Sequence, residues 1–195
     1  MQFSPPFNEK CNKNATLKRH TFTYNIFEYK GREVAGQELS FGDHEFIVSK
    51  TDTKGNITYG NGVFIRMSGY TEEELINAPH KILRHPKMPA FIFKFLWQRV
   101  RAGKEIFAYV VNRNKNDDYY WVFAHVTASR DESGRIIGYH SARRKPNSKA
   151  LEIIKPLYET LLRAEKSGGV SASEAKLQAL LDEKGVSYDE FILSL

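Results

Sequence analysis

Between residues 106 and 143 three β-branched and aromatic runs are separated by two short polar breaks. The runs are 106–112, 119–129 and 136–143, and the breaks between them read NKNDD and DESG. Strands joined by turns this short must run antiparallel, because a parallel return needs a crossover of about a dozen residues or more. A meander of this kind is stable only with one face buried against other elements, and the preceding residues supply them. HEFIVSKTD and ITYGN flank Lys54-Gly55-Asn56, a second hairpin signal. A short helix over 62–68 stops at Gly69. Thr71-Glu72-Glu73-Glu74 is a capping box that opens another helix, ending before Pro79. HKILRHPKMP, with two prolines, reads as a loop or a distorted single turn. AFIFKFLWQRVR, 90–101, is a longer helix whose apolar face takes in Phe91, Phe93, Phe95, Leu96, Trp97 and Val100.

The order over residues 46–144 is therefore two strands, three helical pieces and three strands, an α+β pattern of five antiparallel strands in two blocks with short helices between them. Three regions follow: a polar extension, 1–40, with one strand-like stretch at 21–29; a central domain, 41–146; and a helical region, 147–195. In that last region Leu151, Ile154, Leu157, Tyr158, Leu161 and Leu162 form a helical stripe. Pro156 is expected to kink or split this helix. Gly168-Gly169 marks a break before a second helix over 171–183.

Several function classes are excluded by what the residues lack. No run of 18 apolar residues is present, which argues against a membrane span. The first ten residues have no basic and apolar leader pattern, so a cytoplasmic protein is expected. Cys11 is the single cysteine, so disulfide frameworks and CxxC sites are out. The net charge of +6 is spread along the chain rather than gathered in a stripe, which disfavours nucleic acid. Arg143, Arg144 and Lys145, before Pro146, read as a solvated strand end. No phosphate-binding glycine loop, nucleophile elbow or zinc-binding His spacing appears, so no enzyme is expected.

The particular blocks are more telling than the pattern. TDTKGNITYGN, SGYTEEEL, PHKILRHPKMP, KFLW, VVNRNKNDDYYWVFAHVT and IIGYHSARR together resemble the PAS sensor domain of aerotaxis and energy-taxis receptors. The resemblance implies an α+β PAS fold, one five-stranded antiparallel sheet with the short helices on one side, followed by C-terminal helices that couple it to a partner. It implies FAD held without a covalent bond, redox sensing, and a membrane-bound chemotaxis transducer as partner, with a homodimer as a further possibility. The likeness is greatest to bipartite systems, in which the PAS protein is soluble and a separate membrane protein carries the signal. By position, the family's flavin contacts fall on Asn61, His80, Arg84, His85, Phe93, Trp97 and Asn112. Two positions depart from the family pattern: Lys87 stands for an acidic residue and Ile106 for a tryptophan.

The residues can be read without the family too. Phe93 and Trp97 lie four apart on one helix, and Trp121 and Phe123 two apart on one strand, so each pair shares a face. Such aromatics either wall a planar ligand or fill a core. Asn112 is an amide that can switch between donating and accepting, or a strand-end residue that serves the next turn. Asn61 is open to the same two readings. Arg84 and His85 suit a diphosphate, or decorate an exposed loop. His80 or His85 as a haem ligand, and a ligand-free scaffold, are the alternatives to FAD. A light-sensing domain that forms a cysteinyl adduct is excluded, since Cys11 lies outside the domain.

Overall fold

A computed structural model describes residues 36–195; the strand-like stretch at 21–29 lies outside the described residues. Five strands form one antiparallel sheet: β1 Ile47–Thr51, β2 Ile57–Gly60, β3 Ile106–Arg113, β4 Tyr119–Arg130 and β5 Ile136–Arg144, in spatial order β2-β1-β5-β4-β3. The β1–β2 turn is closed by Asp52, whose carboxylate accepts from the backbone N–H groups of Lys54 and Asn56 and from the Asn56 amide. Three α-helices and a 3-10 turn at His80–Leu83 make the connection from β2 to β3: α1 Gly62–Ser68, α2 Glu72–Leu75 and α3 Ala90–Arg101. The capping box at Thr71 and Glu74 is formed, and α1 ends on Gly69 in the left-handed conformation.

Strand alternation sorts the side chains. Following the register across the sheet, Ile47, Ser49, Ile106, Ala108, Val110, Asn112, Tyr120, Val122, Ala124, Ser141 and Arg143 share one face. This inner face packs on α1 and α3, and Phe64, Leu83, Ile92, Leu96 and Val100 fill the space between. Sheet packing is tight where β5 passes β1. A Cβ on Gly138 would lie 2.3 Å from the Thr51 carbonyl oxygen.

The opposite face is buried too. α4, Ser148–Lys184, and α5, Tyr188–Leu193, follow the sheet. Tyr158 of α4 packs on Trp121, Phe95 of α3 meets Tyr188 of α5 edge-on, and Ile154 and Leu161 are fully buried. Each such aliphatic side chain contributes about 1.5–3 kcal/mol by leaving water. The helix continues through Pro156, so the expected split does not occur there. Pro156 and Glu152, whose carbonyl loses its N–H partner, both face solvent, so water takes the freed bond. The helical path is interrupted instead at Gly168 and Gly169, where Gly169 has φ +72.

Both sheet edges are covered. Backbone bonds from Ile57 to Ala78, Asn77 to Ile57 and His80 to Gly55 line the free side of β2. Along β3 the hydroxyls of Tyr158 and Tyr188 donate to the carbonyls of Tyr109 and Phe107, at 2.6 and 3.1 Å. Edges closed in this way offer no template for strand addition.

Candidate functional site on the inner face of the sheet

The inner face carries a buried polar group inside its apolar lining. Arg143 is 3% exposed, although the sequence reads it as part of a solvated strand end. That expectation holds for exposed Arg144 and Lys145 and is corrected for Arg143. The reason is strand phase: Tyr139, Ser141 and Arg143 alternate onto the inner face. Arg143 Nε donates to Ser141 Oγ at 2.9 Å. Its Nη2 donates to Ser49 Oγ and lies 3.2 Å from His80 Nε2. Its guanidinium carbon sits 5.2 Å from the Phe64 ring centroid. Arg143 Nη1 has no partner, and no carboxylate pairs with Arg143 among the described residues.

Its neighbours are tuned to the same charge. Burial, then the positive charge of Arg143, holds the His80 imidazole down to about 3, so the ring is neutral. A neutral ring with its proton on Nδ1 leaves Nε2 free to accept from Ser49 and Arg143, at 3.1 and 3.2 Å. Tyr120 is fully buried, and burial pushes its phenol up to about 12 against the opposing pull of Arg143. The Asn112 amide lies beside that hydroxyl and also favours the phenolate, yet it is not in hydrogen-bonding geometry, and the hydroxyl has no partner among the described residues. Thr51 Oγ1 is a second buried oxygen without one among the described residues.

The residues picked out from sequence fall into separate places. His80 and Asn112 belong to the cluster just described. Arg84 follows the 3-10 turn; its guanidinium lies 4.0 Å from the centroid of the Phe93 ring, and its backbone bridges to that of Asn112. Loop, helix α3 and strand β3 therefore meet at Arg84, Phe93 and Asn112. His85 is 2% exposed with its ring 5.3 Å from Tyr119, and Nδ1 accepts from the Lys87 N–H. Burial, then Lys87 and Arg113, lowers this imidazole to about 4. Trp97 stands edge-on to Tyr139 at 5.2 Å and leaves 3.1 Å to a Cβ on Gly55.

Asn61 has its side chain committed to structure: Oδ1 accepts from Val48 and Phe64 N–H, and Nδ2 donates to the Phe46 carbonyl. Trp121 is a correction. It shares a face with Phe123, as the spacing requires, but this is the outer face, where Trp121 meets Tyr158 at 6.0 Å. It therefore cannot join Asn112 in walling an inner-face ligand. Ser49, Ser141 and Tyr120 carry no motif of their own; the signal for them, and for the placement of Arg143, is the period-2 alternation of the strands.

The PAS fold family model matches residues 57–143. The Aerotaxis receptor of Escherichia coli (strain K12) is 37% identical over 128 residues, 66% of this chain. The chain carries a PAS domain, and over that region it is similar to this receptor. It spans 25% of the length of that receptor. The Nitrogen fixation regulatory protein of Klebsiella pneumoniae is 27% identical over 97 residues, covering 50% of this chain and 20% of its own. Among solved structures, a light-oxygen-voltage domain studied with a flavin analogue aligns with a TM-score of 0.50 at 18% identity, over 59% of this chain and 86% of that one. The light state of the Aureochrome1 LOV photoreceptor gives 0.50 at 17%, over 55% and 85%. These two likenesses are of fold. No described helix of this PAS protein is long and apolar enough to cross a membrane, and no described His, Cys, Asp and Glu cluster forms a metal site.

Proposed function

We propose that this PAS protein is a non-enzymatic cytoplasmic redox sensor that holds FAD on the inner face of its sheet and passes the redox state, by protein contact, to a membrane-bound chemotaxis transducer. The observation that carries this reading is that three buried polar atoms, Arg143 Nη1, Tyr120 Oη and Thr51 Oγ1, have no partner among the described residues. Unpaired buried polar groups cost about 1–3 kcal/mol each, more when charged, unless a ligand completes them. In chemistry these residues suit a flavin, which would offer flat apolar area to Phe64 and the inner-face aliphatics and an edge of hydrogen-bonding atoms to the polar cluster. The 37% identity to an aerotaxis receptor supports the sensing role.

When bound, the flavin would supply reversible acceptance of electrons. The chain's own residues would hold and report it. Asn112, beside Tyr120, has both donor and acceptor atoms to meet a ring nitrogen that gains or loses a proton. Arg84, packed on Phe93 and bridged to Asn112, joins that contact to α3. Lys87 is exposed, so the missing acid at this position takes nothing from the interior, and Ile106 is fully buried in the core. The test is the visible spectrum of the purified full chain before and after dithionite, with chromatography of the heat-released cofactor. Flavin bands that bleach on reduction, with FAD released, are expected. A colourless protein that stays colourless after incubation with FAD overturns the reading in favour of a ligand-free interaction module.

A further inference from the structure

Arg143 is an unusual group for the inside of a small domain. A guanidinium is charged at every physiological pH, and moving an ion into the interior costs several kcal/mol unless a counter-charge repays it. Here the surroundings repay only part. Ser49, Ser141 and neutral His80 satisfy Nε and Nη2, Phe64 lies against the guanidinium, and Nη1 has no partner among the described residues. The Tyr120 hydroxyl, which feels the charge of Arg143, is itself without a partner among the described residues. Two orphaned donors, one of them cationic, on the inner face of the sheet describe a site that lacks an acidic or electron-rich group.

Resting on the flavin reading above, we propose that Arg143 is the charge complement of the ligand: Nη1, seconded by the Tyr120 hydroxyl, takes the acceptor edge of the isoalloxazine ring. That edge carries acceptors in the oxidised ring. After uptake of two electrons and one proton it carries one negative charge, and an adjacent cation stabilises that charged form relative to the oxidised one. Arg143 therefore both holds the ring and favours its reduction, a positioning and tuning role that no acid in the described structure offsets.

The experiment compares Arg143→Gln and Arg143→Lys in the full chain. Three quantities are read: FAD affinity by quenching of flavin fluorescence, reduction potential against a dye couple, and the melting temperature of FAD-stripped protein. A charge-assisted hydrogen bond contributes about 1.5–3 kcal/mol, so Arg143→Gln should weaken FAD binding about 10- to 100-fold. Its potential should fall by about 30 mV for each tenfold loss of preference for the reduced ring. Arg143→Lys should recover part of both. The stripped Arg143→Gln protein should melt no lower than wild type, since an unpaired buried charge has been removed. Unchanged affinity and potential would overturn the proposal. So would a stripped variant that melts several degrees lower, since Arg143 would then be a scaffold residue. If wild type takes up no flavin, the sensing reading fails on that result. The stripped proteins then decide about Arg143: a higher melting temperature for Arg143→Gln keeps it as a site for another acidic ligand, and a lower one removes it.

Discussion

Helix α3 begins with two prolines nearby and no side chain of its own to cap it. The cap comes from 75 residues away. Glu165 of α4 accepts from the Ala90 N–H through Oε2 at 3.0 Å and from the Phe91 N–H through Oε1 at 2.9 Å. Glu165→Ala removes both bonds and a negative charge at a helix N-terminus. Loss of an N-cap costs about 0.5–2 kcal/mol and loss of a carboxylate at the positive end of the dipole about 0.3–1 kcal/mol. Part of the second is already contained in the first, so about 1–2 kcal/mol is expected. For a domain of this size that is roughly 2–8 °C in melting temperature. Glu165→Gln keeps one acceptor oxygen and should lose about half as much. Exposed Glu159→Ala, on the same helix, should change stability by less than about 0.5 kcal/mol. The assay is urea unfolding of all three, with amide hydrogen exchange at Ala90 and Phe91. A Glu165→Ala protein no less stable than Glu159→Ala, with both amides still protected, would refute the cap.

The remaining predictions test other features. His80 and His85 are held neutral, at about 3 and about 4, against an ordinary value of 6.5. The unfolded chain therefore binds more protons below pH 6.5, and stability present above that pH should drain away as pH falls toward 4. Each ring contributes at most about 1.4 kcal/mol per pH unit. Melting temperature followed from pH 7 to 4.5 should fall in wild type and fall less steeply in His85→Gln; parallel slopes would contradict the assignment. Tyr158→Phe leaves the ring in place and strips the Tyr109 carbonyl of its 2.6 Å bond, so it should cost about 1–2 kcal/mol by urea titration. Gly138→Ala drives a methyl against the Thr51 carbonyl and should lower stability by about 1–3 kcal/mol; an unchanged midpoint would show that β1 and β5 can spread.

The sequence carried the fold because local signals and strand order agree: α3 begins and ends where its apolar run does, and the turns at Asp52 and Asp131 sit between the expected strands. The site was less legible, and Tyr120-Trp121 shows why. Both are large, aromatic and buried, so the strand has no polar side to set its phase. Tyr120 faces the cluster of Arg143 and His80, while Trp121 faces Tyr158, which only the packing of α4 reveals. Arg143 was hidden in the opposite way, since a basic run before a proline looks like surface. Glu165 was beyond local reading altogether, because its partners are two backbone amides of another element.

Those placements make α3 the element that both halves of the molecule share. One side of it presents Phe93 to Arg84 and Trp97 to Tyr139, at the inner face. The other side is tied to the C-terminal helices at three heights: Glu165 at its first turn, Glu174 on Lys94 at 2.8 Å, and Asp189 on Arg99 at 2.7 Å. The two ion pairs are partly exposed and each contributes no more than about 1 kcal/mol. The Glu165 cap is worth more, and it precedes the Gly168–Gly169 interruption in α4 by three residues. A displacement of α3 along its axis would therefore strain the cap first, at the place where the covering helix has a glycine pair to absorb the change in direction. Removing the cap should let exchange at Ala90 and Phe91 rise without a matching rise in the amides of β4, whose strand partners are untouched. Equal acceleration in both would mean that α3 and the sheet open as one unit.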